Sequence, residues 1–155
     1  MAATAEIRPV TAGDEAEWRR LWTDYLAFYK TTKPEAVFSA TFARILAGNA
    51  NAAGAEYEPR GLIAAIDGRA VGIVNYLFQR TCWLVELQCY LQDLYADPAV
   101  RGTGLGRALI EAVYARADAA GSPSVYWMTQ DFNETARRLY DRIGTKTPFI
   151  KYTRG

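Results

Sequence analysis

The 155-residue chain contains no histidine. That absence excludes Ser-His-Asp and Cys-His catalysis, His-ligated zinc, and the protease and deaminase sites that depend on histidine. Cysteine is nearly as scarce. Cys82 and Cys89 are the only two, too few for a metal cage or a disulfide framework. Their separation is odd, so on one strand they face opposite ways and form no local bridge. They read as small buried hydrophobes of a reducing compartment. Charge of one sign is also missing: 18 basic against 17 acidic residues leave a net +1. The whole molecule therefore has no attraction to nucleic acid or to an anionic membrane, and neither is expected as a partner. No apolar run approaches the roughly 20 residues that span a bilayer. Glu6, Arg8 and Asp14 interrupt any signal-peptide pattern. A soluble, cytoplasmic protein without a metal is expected.

What is present is a globular balance, 50% hydrophobic and 23% charged, which argues against disorder. At this length one domain over residues 1–155 is expected, with roughly two-thirds of the unfolded surface buried. Residues 4–11 read as a short strand. Thr11 and Asp14 suit a helix start, with Asp14 and Glu17 at the spacing of a capping pair. Trp18, Leu21, Trp22, Tyr25, Leu26, Phe28 and Tyr29 follow a helical period. A second helix begins at Pro34, carries Val37, Phe38, Thr41, Phe42, Ile45 and Leu46 on one face, and stops at Gly48 and Asn49. Residues 49–59 have no period. Residues 61–67 and 70–78, joined by Asp67 and Gly68, predict a hairpin with a type I′ turn. Residues 81–95 are a strand long enough to need a bulge. Residues 104–120 are a helix closed by Gly121, 124–129 a strand, 131–143 a helix opened by Asp131 and Glu134, and 149–152 a last strand. The order β-α-α-β-β-β-α-β-α-β is a mixed α/β fold.

The densest chemical signal runs from Asp93 to Arg107. Gly102, Gly104 and Gly106 alternate between a strand and a helix, so three β-carbons are missing where the helix points unpaired N–H groups outward. That is an anion site suited to a phosphate or pyrophosphate, with Arg101 as a charged donor at its mouth. The dinucleotide spelling fails because its third glycine falls on Arg107, and the P-loop spelling fails because no Gly-Lys-Ser/Thr follows.

Here the sequence resembles a known family. Arg101-x-x-Gly104-x-Gly106 has the (Arg/Gln)-x-x-Gly-x-(Gly/Ala) spelling of the GNAT superfamily of N-acetyltransferases, which bind acetyl-CoA. Asn133, Ala136, Leu139, Tyr140 and Gly144 are spaced like its second motif, and the similarity covers nearly the whole chain. The aromatic first helix is similar to a subgroup that acetylates amines, histone-tail lysines or amino acids. The resemblance implies a GNAT-like fold and acetyl transfer from acetyl-CoA to a primary amine, on a small molecule or peptide, by direct attack in a ternary complex. The alternative is a CoA-binding or sensing domain of the same fold without turnover.

The resemblance also implies roles. Backbone N–H groups of Arg101, Gly102, Thr103, Gly104 and Gly106, with Arg107 beside them, hold the pyrophosphate. Leu94, Tyr95 and Ala96 bond the pantetheine arm as an added strand, in the gap where this strand parts from the 124–129 strand. An N–H near Leu94 or Tyr95 polarises the thioester carbonyl. Tyr140 sits where many members carry the general acid, although it also fits a core stripe. Asn133 contacts the cofactor or helps start its helix. The base is Asp93, Glu86 or water. Gln92 stands where similar polyamine acetylators carry glutamate, and residues 92 and 93 face opposite ways on a regular strand. The aromatics of the first two helices either fill the core or roof an acceptor pocket, which Glu56, Tyr57 and Glu58 would help to recruit a cation. Exposed strand edges at the C-terminus suggest a homodimer.

Overall fold

The computed structural model describes residues 4–155. Five strands form one sheet in chain order: β1 (Glu6–Pro9), β2 (Arg60–Ile66), β3 (Arg69–Gln79), β4 (Gln88–Ala96) and β5 (Ser124–Tyr126). The first four are antiparallel neighbours, and β5 runs parallel to β4. Helices α1 (Glu15–Phe28) and α2 (Glu35–Asn49) cover one face. Helix α3 (Leu105–Ala119) covers the other, with α4 (Glu134–Ile143) packed at its side. No helix among the described residues is long and apolar enough to cross a membrane.

Both faces of β3 are covered, and its residues Ala70–Tyr76 are all buried, which is why this stretch reads as a continuous apolar run rather than an alternation. The β2–β3 hairpin turns on Asp67 and Gly68 with φ of 50° and 77°, the two positive values that a type I′ turn requires. Helix α3 ends as its sequence indicates, with the amide of Ser122 bonded back to Ala117 at 2.9 Å past Gly121.

Several expectations are corrected. The capping pair is Thr11 with Asp14, not Asp14 with Glu17. The Asp14 carboxylate accepts from the Thr11 amide at 2.8 Å and from Arg8 at 2.7 Å, which fixes a short turn ahead of α1. The 81–95 strand begins only at Gln88. Its partner β3 ends at Gln79, in register with Gln88, so residues 80–87 have no ladder to join. Cys82 is exposed on that loop, whereas Cys89 is buried as expected. The 124–129 strand stops at Tyr126 because β4 pairs with it only through Tyr90. Asp131 and Glu134 form no cap: α4 begins at Glu134, and the Asp131 carbonyl accepts from Arg137 instead. Residues 149–152 are not a strand. Phe149, Ile150 and Tyr152 are exposed, and without a neighbouring edge an extended segment has no ladder to make. The order therefore closes on α4.

Candidate active site

The bulge expected in the long strand lies at Gln92. Asn75 pairs with Asp93 and Tyr76 with Leu91, so Gln92 is the extra residue. A regular strand would put residues 89, 91, 93 and 95 on one face. With the bulge, Cys89 and Leu91 enter the α3-side core while Tyr95 enters the α1-side core. Asp93 turns with Tyr95 toward α1, and Gln92 is left exposed. The bulge therefore sets Asp93, and not Gln92, toward α1.

Beyond Tyr90 and Tyr126, whose rings stack at 4.7 Å, β4 and β5 part. Residues Leu91–Ala96 keep β3 on one edge and have no strand on the other. The Asp97 amide bonds Val71 across β3 at 2.8 Å, and polarity alternates along an antiparallel ladder. Tyr95 therefore also spends its backbone on β3, while Leu94 and Ala96 turn theirs toward the open edge. Of the two N–H groups considered for the thioester carbonyl, only that of Leu94 faces the gap.

The glycine loop closes one end of this gap. Gly102 and Gly104 have φ of 79° and 87°, and a β-carbon on either would meet nothing within 4 Å. Their space is open and their backbone is left-handed, so they form a turn that glycine adopts at no steric cost. Gly104 caps α3 and bonds Ala108 as the first helical acceptor, at 3.0 Å; the amides ahead of Ala108 are the unpaired donors of the helix start. Gly106 is different: it lies inside the helix, 3.5 Å from Leu139 at its missing β-carbon. Thr103 donates its hydroxyl to Val100, at 2.6 Å, and Arg101 lies over the Phe28 ring at 5.9 Å. Arg107 is bound to Glu111 at 2.8 Å, one turn along α3. These residues fit a pyrophosphate through backbone amides, with Arg101 at the mouth unpaired with any carboxylate among the described residues.

Asp93 sits across the sheet edge from this loop. Asn75 donates Nδ2 to its carboxylate at 3.0 Å. Burial pushes the Asp93 carboxyl above the usual carboxylate range, and the Asn75 and Tyr25 donors pull it part of the way back. Tyr25 and Tyr29 meet edge-on at 5.1 Å. Burial and the Asp93 charge raise the phenols of Tyr25, Tyr29 and Tyr90 alike. These raised phenols stay protonated, and the Tyr25 hydroxyl donates to the carboxyl.

Tyr140 approaches from α4. Its ring meets Trp127 edge-on at 5.5 Å. Burial, with a smaller push from Tyr29, raises its phenol to about 12. Tyr29 is therefore within electrostatic reach of both Asp93 and Tyr140. Asn133 is the N-cap of α4 and donates to Thr129 at 3.3 Å. Glu86 is exposed on the 80–87 loop, and Glu56 and Tyr57 are exposed on the loop before β2.

The acetyltransferase (GNAT) family matches residues 15–145. A D-amino-acid N-acetyltransferase of Saccharomyces cerevisiae is 38% identical over 96% of this chain and 89% of its own length. This chain belongs to the GNAT acetyltransferase family. A thialysine N-epsilon-acetyltransferase of Bos taurus is 32% identical over 49% of this GNAT chain and 44% of its own. The aminoglycoside N-acetyltransferase AAC(6')-Iy in complex with CoA superposes with a TM-score of 0.82 at 18% identity, over 100% of this chain and 97% of that one. The family, the mixed fold and acetyl transfer to an amine are as the sequence implied, and a non-catalytic sensing domain is not favoured.

Two features of the GNAT site escaped the sequence reading. Asn75 carries a signal that was there to read, since it is the one polar side chain inside the run from Ala70 to Phe78. Tyr90 carries none, because its place beside Asp93 depends on the bulge. The aromatics of α1 and α2 divide. Trp18, Trp22 and Phe42 are buried core, whereas Tyr25 and Tyr29 are partly exposed on the side that Asp93 faces.

Proposed function

We propose that the chain moves acetyl from acetyl-CoA to the primary amine of a small, amino-acid-like acceptor, by direct attack in a ternary complex. The observation that carries this reading is the gap between β4 and β5, with helix amides at one end and the buried Asp93 carboxyl at the other. Acetyl-CoA supplies an acetyl group already activated as a thioester, so no metal is called for. The amides from Arg101 to Arg107 hold the pyrophosphate, and the Leu94–Ala96 edge holds the pantetheine arm. The Leu94 N–H faces the developing oxyanion. Asp93 takes the proton from the acceptor ammonium; burial raises its pKa and makes it a stronger base than an exposed carboxylate. Tyr140 stays protonated and donates to the departing thiolate.

The yeast relative's activity on D-amino acids supports an amino-acid-like acceptor. Release of free thiol from acetyl-CoA, followed with D- and L-amino acids, lysine peptides, polyamines and aminoglycosides, tests the proposal. Turnover confined to amino acids supports it. Turnover with aminoglycosides alone overturns the acceptor class. A homodimer joined through the exposed Phe149–Tyr152 segment is part of the proposal, and sedimentation as a monomer at every concentration removes that part.

A further inference from the structure

A second cleft, of about 270 Å³, opens where the start of β2, the far half of β3 and the last turn of α3 meet. Arg60, Tyr76, Phe78 and Arg116 line it, with Asn49 and Ala119 at its rim. Tyr76 and Phe78 belong to the α3-side core, so this cleft lies on the opposite face of the sheet from Asp93. It also lies at the opposite end of α3 from the glycine loop, roughly 20 Å away at 1.5 Å per helical residue.

The Arg60 guanidinium lies over the Phe78 ring, 5.3 Å from its centroid. Its Nε is buried without a hydrogen-bond partner, and its Nη2 donates to the Asn51 side-chain Oδ1 at 3.4 Å. Neither Arg60 nor Arg116 meets a carboxylate among the described residues. Burial raises the Tyr76 phenol, and the Arg116 and Arg60 charges pull it down. The Asn49 amide offers the cleft nothing, since Val10, Gly61 and the Gly61 amide occupy it. The C-terminal ends of α2 and α3 bring about half a negative charge each, which two full positive charges outweigh.

We propose that this cleft is a second ligand site that takes a small organic carboxylate with an apolar body. The carboxylate sits between the Arg60 and Arg116 guanidiniums, whose planar donors match its two oxygens. The apolar body lies against the exposed Ala119 and Ala120 at the cleft wall.

Benzoate is the probe, titrated into the full chain by calorimetry and by amide NMR, with benzamide and inorganic phosphate as comparisons. Saturable benzoate binding should shift Ala119, Ala120 and the 76–78 amides while leaving Gly102–Gly106 unmoved. Arg116→Gln, an exposed change that leaves the core intact, should weaken binding about tenfold or more, the worth of one charged hydrogen bond. Arg60→Gln should do the same, with its melting temperature checked alongside. Benzamide binding as tightly as benzoate, phosphate binding more tightly, unchanged affinity in Arg116→Gln, or no saturation would each overturn the proposal.

Discussion

Asn75 and Asp93 stand directly opposite each other across β3 and β4, joined Nδ2 to Oδ2 at 3.0 Å. Asn75 is 2% exposed, and its own Oδ1 has no partner. Gly61 borders that oxygen, since a β-carbon there would stand 3.2 Å from it and 2.9 Å from Ile45. A buried amide with one end unsatisfied weakens the fold. The pair is better explained by what Asn75 does for the carboxyl than by what it does for the core.

Asp93→Asn should therefore lower kcat by roughly 10²–10⁴, the worth of a positioned base. It should also stabilise the protein at neutral pH. The folded-state pKa of Asp93 is raised by burial, so its ionisation as pH climbs through that value weakens the native state, and Asn never ionises. Paired measurement of turnover and melting temperature checks this. Lost activity with unchanged or lower stability would return Asp93 to a structural role.

Asn75→Ala removes a donor that favours the charged carboxyl. The acid limb of the kcat/KM profile, which rises as the base deprotonates, should move to higher pH. A profile of unchanged shape and lower height would mean that Asn75 affects only folding.

Tyr140→Phe keeps the ring against Trp127 and removes the hydroxyl. We expect kcat to fall by roughly 10²–10⁴ with little change in KM for acetyl-CoA. With the phenol held at about 12, no alkaline limb from its ionisation should appear in the accessible range. Full turnover in the variant would remove Tyr140 from the mechanism.

Gly104 and Gly106 should behave oppositely in the free protein. Gly104→Val forces a β-branched residue to φ of 87° and fills space given to the pyrophosphate, so CoA binding should vanish in calorimetry. Gly106→Ala lies inside α3 with only an ordinary contact to Leu139. It should raise the free protein's stability by about 0.5–1 kcal/mol, while lowering CoA affinity where the backbone must come close.

Arg8 and Asp14 provide an acid-stability test. The Arg8 guanidinium holds the Asp14 carboxyl down at about 2. A depressed folded-state pKa gives stability that is present above the unfolded value and lost as pH falls toward the folded one. Asp14→Asn should flatten the fall in melting temperature between about pH 4 and 2.

The elements legible in the sequence are those fixed by neighbours in the chain. The Asp67–Gly68 hairpin, the α3 stop at Gly121 and the left-handed glycines before α3 each depend on backbone preferences within a few residues. The glycine loop is legible for the same reason, because its left-handed residues and unpaired amides lie at a helix start. The 149–152 strand and the length of β5 differ from the sequence pattern because each depends on a partner edge elsewhere. A run of suitable residues becomes a strand only where another edge meets it.

Sequence alone determined the chemistry that this protein cannot use, having no histidine, and the glycine turn from Arg101 to Gly106 that opens α3. Those follow from residue identity and local geometry. Tertiary structure decided which carboxylate is buried and which phenols face it. One extra residue at Gln92 rotates the rest of β4, and that rotation carries Asp93 to the face of α1, beside Tyr25 and Tyr29. No pattern within the strand announces the rotation, because a bulge exists only relative to the strand it pairs with.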